Sequence, residues 1–163
     1  MSRLLQRLSA AANLLAPISL LALRFALAVP FFKSGLTKWD GFGRLSDTTT
    51  LLFTHEFRLH LFGATVPYPF PSLMAWMSGV FEIVLPVLLV IGFFTRFSAL
   101  GLFFMTVIIQ LTVPSAWANF HLPWAAMALA LVVYGAGPVS LDRLLFGRRS
   151  RDVKASPGRA IAA

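Results

Sequence analysis

The sequence predicts an all-α protein, a four-helix transmembrane bundle, and three observations predict it. Hydrophobic residues make up 58% of the 163 residues and charged residues only 12%, a balance far outside the soluble range. Four apolar segments, each near the ~20 residues needed to cross ~30 Å of hydrocarbon, are bounded by Pro, Gly or charge. Basic residues gather in the flanks and loops of one side, as cytoplasmic loops do. A soluble domain of this length has too little polar surface to cover so much Leu, Phe, Val and Ile, which excludes the soluble classes.

The first span is expected over 18–37, with Pro17 in the first helical turn, where a missing N–H costs nothing, and Pro30 as an internal kink. The outer loop, 40–70, follows. Within it "SDTTTLLFTHEFRLHLFG" offers an N-cap at Ser46 or Asp47 and places Leu52, Phe53, Phe57 and Leu61 near helical spacing, which predicts an outer interfacial helix between spans one and two. The second span, 72–94, starts after "PYPFPS" and carries Glu82 and Pro86. The third, 97–113, comes only two residues later, so the two form a tight antiparallel hairpin that Pro114 closes. Because Trp124 to Tyr134 alone is too short to cross, the fourth span is expected over 115–136 with a bend at Pro123. Residues 1–146 thus make one membrane domain. Leu141, Leu144 and Leu145 make a short amphipathic turn at its end, and 147–163 is a basic cytoplasmic tail, expected to be disordered.

Counting charge gives an orientation. One side collects Arg3, Arg7, Arg96, Arg143, Arg148, Arg149, Arg151, Lys154 and Arg159, and the other has Lys38, Arg44 and Arg58, with Lys33 near the boundary. Both termini are therefore expected in the cytoplasm. A cleaved signal peptide is the rival reading of the N-terminus, but Arg24 would interrupt its apolar core. The net charge of +8 and the run "RRSR" suggest nucleic acid less than the anionic inner leaflet, so membrane lipids and not nucleic acid are the expected partner of the tail. No cysteine is present, which excludes disulfides, thiolate metal sites and dithiol chemistry. "HEFRLH" is one residue longer than the zinc-protease motif, so His55 and His60 diverge by ~140° and no metal site is expected. Glu56 and His60, four apart, are expected to pair on the surface.

An ionised group in hydrocarbon costs at least ~2.5–3.5 kcal/mol, so Arg24 and Glu82 each need a partner, and similar depths in spans one and two predict that they find each other. Helical phase puts Arg24, Ala28, Phe31, Gly35 and Lys38 on one face of the first span, with Gly35 allowing close approach. Lys33 faces the other way and is expected to snorkel to the outer interface. His121, at the outer depth of Lys38, joins Arg24, Phe31, Gly35, Lys38 and Glu82 as a ligand-binding candidate. Gln110 is expected to donate an interhelical hydrogen bond, and Trp39 and Tyr134 are weaker candidates for the pocket.

The run R-x8-K-S-G-L-T-K-W (24–39), Glu82 after "PFPS", "GFFTR" at 92–96 and "GAGPVSLDRLL" at 135–145 together resemble the DoxX family of small bacterial membrane proteins. That resemblance implies a four-helix bundle and association with redox complexes, since relatives include the membrane subunit of thiosulfate:quinone oxidoreductase. It places the family's polar pattern on Arg24, Gly35, Lys38 and Glu82, with Arg96 and Asp142 structural. Without cysteine, quinone is the more compatible redox ligand. The spans contain no haem-ligand pair, and the sequence has no flavin or iron–sulfur motif, so a quinone-linked oxidoreductase role requires a protein partner subunit; a homo-oligomer is the other assembly expected. The competing readings are a non-catalytic scaffold for a stress-response or metal-handling complex, and a small-solute transporter.

Overall fold

The computed structural model describes residues 2–146, with side chains from residue 13 onward. Five helices carry the architecture: α1 (Ser2–Leu36), α2 (Asp47–Leu51), α3 (Pro71–Ile91), α4 (Thr95–Thr112) and α5 (Leu122–Tyr134), followed by the short α6 (Leu141–Phe146). Four stretches are long and apolar enough to cross a membrane: Asn13–Leu36, Pro71–Ile91, Thr95–Thr112 and Pro114–Tyr134. Helix α1 lies on α3 and α5, α3 on α4, and α4 on α5. Leu27, Phe31, Leu85, Leu89, Leu102 and Leu131 fill the space between them.

Helix α1 begins at Ser2, so Pro17 lies inside it and not in its first turn. The Leu-, Ala- and Arg-rich stretch before Pro17 favours helix strongly enough to continue through the one hydrogen bond that the proline removes. Helix α3 ends at Gly92, whose φ of 70° supplies the left-handed stop, and α4 begins three residues later. The fourth crossing is composite. A 3₁₀ turn (Pro114–Ala116) and a π turn (Trp117–His121) precede α5, and Pro123 sits in the first turn of α5, where its missing N–H is harmless.

The loop after α1 differs most from expectation. Ser46 caps α2, accepting from the Thr49 N–H, and a π turn (Leu52–Glu56) extends it, but the helix stops at Phe57, whose backbone is extended (φ −73°, ψ 130°). Leu61 belongs instead to a hairpin of β3 (Arg58–Leu61) and β4 (Ala64–Pro67). "RLHL" alternates with a period of two, and Phe62–Gly63, both at positive φ (49° and 85°), make the two-residue turn that joins twisted strands. A smaller hairpin, β1 (Trp39–Gly41) with β2 (Arg44–Leu45), leads out of α1. These hairpins and α2 cover one end of the helices, the cap end, around a second apolar cluster of Phe53, Tyr68 and Ala75. The 92–95 connection and 135–146 lie at the opposite end. The basic tail, 147–163, falls outside the described residues.

Candidate functional site

Lys38 and Glu82 form the one salt bridge among the described residues. Nζ of Lys38 lies 2.6 Å from Oε2 of Glu82 and also donates to Oγ of Ser34 at 3.1 Å, while Oγ of Ser78 donates to Oε1 of Glu82 at 2.9 Å. Local sequence explains the meeting. Lys38 follows the end of α1 in a turn closed by its N–H on the Gly35 carbonyl, and Gly35 packs so tightly on α3 that a Cβ there would stand 2.9 Å from the Glu82 backbone and Cβ. The carboxylate is more enclosed than the ammonium, with side-chain exposures of 4% and 13%.

The pair forms one wall of a cavity of about 270 Å³ between α1, α3 and α4 beneath the cap. Phe53, Phe57, Met74, Met105 and Ile109 supply apolar walls, and Tyr68 and Thr112 bring a second polar edge, their hydroxyls 2.5 Å apart. Burial pushes the Tyr68 hydroxyl above its ordinary pKa, with the Thr112 hydrogen bond opposing the shift, so the phenol stays protonated; because Thr112 donates to the Ile108 carbonyl, the Tyr68 O–H donates to Thr112 and must turn from it to meet a ligand. The arrangement suits a flat, mainly apolar molecule with polar atoms at its edge. A metal is poorly matched to it, because among the described residues Glu82 is the only His, Cys, Asp or Glu lining the cavity.

Arg24 does not pair with Glu82. The guanidinium is buried, at 2% exposure, and it donates to four main-chain carbonyls: Leu89 at 2.9 Å, Val90, Ala136 at 3.1 Å and Val139 at 2.6 Å. Depth is the reason. Arg24 lies level with the last turn of α3, about 12 Å from Glu82 at ~1.5 Å per residue, and helix C-termini present carbonyls without intrahelical donors. A guanidinium with five N–H groups satisfies several of them and offsets the negative end of the helix dipole. Asp142 completes this knot. Its carboxylate accepts from the N–H groups of Phe94 and Thr95 at 2.8 and 2.9 Å, capping α4, and its own N–H donates to the Gly92 carbonyl.

The remaining candidates scatter. Phe31 is a core residue tilted against Trp124, their ring centroids 5.2 Å apart. His121 is buried, donates from Nδ1 to Oε1 of Gln110 at 2.6 Å and packs on Trp124; neither it nor Phe31 lines the cavity. Gln110 itself donates within the turn, to the Pro114 carbonyl. Arg96 donates to the Val133 carbonyl near the end of α5. Trp39 lies against Gly79 and edge-on to Trp76, and Tyr134 is exposed. His60 does not pair with Glu56, because it sits on a strand and donates to the Leu111 carbonyl at 3.0 Å. Lys33 lines an apolar groove between α1 and α3 with Phe25, Phe32, Pro86 and Val90. It stands one turn below the level of Lys38, more than 16 Å from the start of α3 at ~1.5 Å per residue, too deep to snorkel to that interface. Sequence reasoning missed Tyr68, Ser78 and Thr112. Ser78 was within reach, one turn before Glu82, but nothing in "PYPFPS" reveals that its tyrosine folds back onto the end of α4.

Four apolar crossings with a charged, partly enclosed cavity at one end define an integral membrane protein with a small-molecule-sized site. The chain belongs to the DoxX family, whose model matches residues 19–115. It is similar to an uncharacterized protein of Haemophilus influenzae, 33% identical over 150 residues that cover 78% of this chain and 83% of the relative. No solved structure matches it.

Proposed function

We propose that this DoxX protein is an inner-membrane subunit of a redox complex and binds a quinone or similar small molecule in the cavity beside Lys38 and Glu82. One observation carries the reading: an apolar chamber with a charged pair on one wall and a protonated phenol on another. Its volume, about 270 Å³, suits a ring-sized head group more than a long tail, which would leave between the half-exposed Phe81 and Ile108 toward lipid. A quinone supplies two carbonyl oxygens that take up two electrons and two protons. The Lys38 ammonium can donate to one oxygen, Tyr68 can donate to the other by turning its O–H from Thr112, and Glu82 can exchange a proton through Lys38 or Ser78. The chain has no cysteine, so the reading calls for a partner subunit that delivers electrons. The bias of Lys and Arg toward one side supports cytoplasmic termini.

The test is purification from native membranes followed by extraction and identification of bound quinone. Stoichiometric quinone in the wild type and its loss from Lys38→Met at unchanged folded yield support the proposal. A wild-type protein that folds, retains no quinone and does not take it up from quinone-loaded vesicles refutes it and favours the scaffold reading.

A further inference from the structure

Three phenylalanines stand at the cap end with little of their own chain against them. Phe42 and Phe62 are fully exposed, at 110% and 108%, and Phe70 is 77% exposed. The first two occupy hairpin tips, directly before Gly43 and Gly63, both at positive φ. Phe62 itself has φ 49°, where a bulky residue is an outlier and where such turns usually take Asn or Gly. The turn gains nothing from an aromatic ring there, so the reason for the ring lies in what it meets outside the chain.

Depth identifies that surroundings. The Trp39 ring at the base of the first hairpin lies against Gly79, so close that a Cβ there would meet it at 2.6 Å. Gly79 is about 12 Å along α3 from its first residue, Pro71, at ~1.5 Å per residue. From Trp39 to Phe42 an extended chain covers about 10 Å, and the Trp39 side chain adds about 6 Å, so Phe42 rises at most about one helical turn past the level where α3 begins. The second hairpin is fixed by the His60 hydrogen bond to Leu111, in the last turn of α4, and Phe62 is about 7 Å further along at ~3.3 Å per residue. Both tips therefore lie at the depth where spanning helices end, which in a bilayer is the boundary of headgroups and acyl chains favoured by aromatic side chains.

We infer that Phe42 and Phe62 are lipid anchors, inserted in the interface of one leaflet, and that they seat residues 39–67 on the membrane as a cap over the cavity. The ligand of the cavity then enters from the lipid phase, past Phe81 and Ile108, and not from water through the cap. The anchoring does not depend on what the cavity holds.

The absence of cysteine allows a clean test. Phe42→Cys and Phe62→Cys are each labelled with an environment-sensitive fluorophore and reconstituted in phosphatidylcholine–phosphatidylglycerol vesicles. Blue-shifted emission, quenched severalfold more by doxyl lipids than by aqueous iodide, is expected at both positions. Water-like emission with iodide quenching overturns the inference, as does a label shielded from both quenchers, the result of a second copy packed on the tips. Where cysteine disturbs a turn, judged by the thermal transition, Phe42→Trp and Phe62→Trp read by brominated-lipid quenching above the wild-type signal decide the same question.

Discussion

Arg24 and Lys38 lie on the same face of the first helix and its extension, and the protein treats these two cations in opposite ways. At one end Arg24 spends its N–H groups on carbonyls of the α3 C-terminus and the 136–139 turn, with no carboxylate of the described residues in contact, and it lines neither the cavity nor the groove beside Lys33. At the other end Lys38 meets a carboxylate at 2.6 Å and borders an open chamber. The difference shows that a buried charge is not by itself a site. A guanidinium whose three nitrogens all donate to main-chain acceptors is a structural fastener. An ion pair with one face on a cavity keeps donors free for a ligand, and water can replace a missing partner there.

The comparison breaks most visibly at Arg24. Arg24→Met takes its donors from four carbonyls of the α3 C-terminus and the 136–139 turn, of which Leu89 keeps the Gly92 N–H, and is expected to lower stability by about 3–5 kcal/mol, read as a lost thermal transition and low folded yield in detergent. Arg24→Lys should recover only part of this, because one ammonium cannot reach acceptors on two segments. A fully folded Arg24→Met protein would show that the knot is not a fastener.

A smaller stability effect, about 1–2 kcal/mol, is expected for Glu82→Gln, since Ser34 and water in the cavity can still receive the Lys38 ammonium. Retained quinone should nevertheless fall at least tenfold. The exchange Lys38→Glu with Glu82→Lys sharpens the contrast: stability returns with the pair, but binding does not. A Glu82→Gln protein as unstable as Arg24→Met would place both charges in the same structural class.

The smallest effect concerns Tyr68. Its pKa is raised above 10.0 by burial, so above that pH the unfolded chain loses this proton more readily than the folded one, and stability falls as pH rises. Below pH 10 the group contributes no pH dependence. Tyr68→Phe is expected to cost about 1 kcal/mol at neutral pH through the lost Thr112 bond and to flatten the alkaline loss of stability. Denaturation curves at neutral pH and above pH 10 check both halves.

The four spans were legible because a period of 3.6 and a length near 20 apolar residues leave few alternatives in a membrane. The face bearing Arg24, Ala28, Phe31, Gly35 and Lys38 was legible for the same reason, and its members are buried or half-buried in the fold. Within that face the choice of partner was not. The Arg24–Glu82 pairing assumed that α1 starts near residue 18 and that its first charge meets the nearest acid in depth. The offset of α1 against α3, set by Gly35 on Glu82, moved the acid to Lys38 instead. The loop was misread where "LLFTHEFRLHL" satisfies helical and strand periods at once, and only the positive-φ turn at Phe62–Gly63 and the docking of His60 on α4 resolve it.

By itself, then, the sequence determined the solvent this chain folds in, the number of its crossings and which face of the first helix turns inward, because hydropathy and helical phase are local properties. The tertiary structure alone decided which charges touch, where the cavity opens and which tyrosine closes it. Those outcomes depend on the sliding of one helix along another by a turn or two, a displacement fixed by packing between residues far apart in the chain.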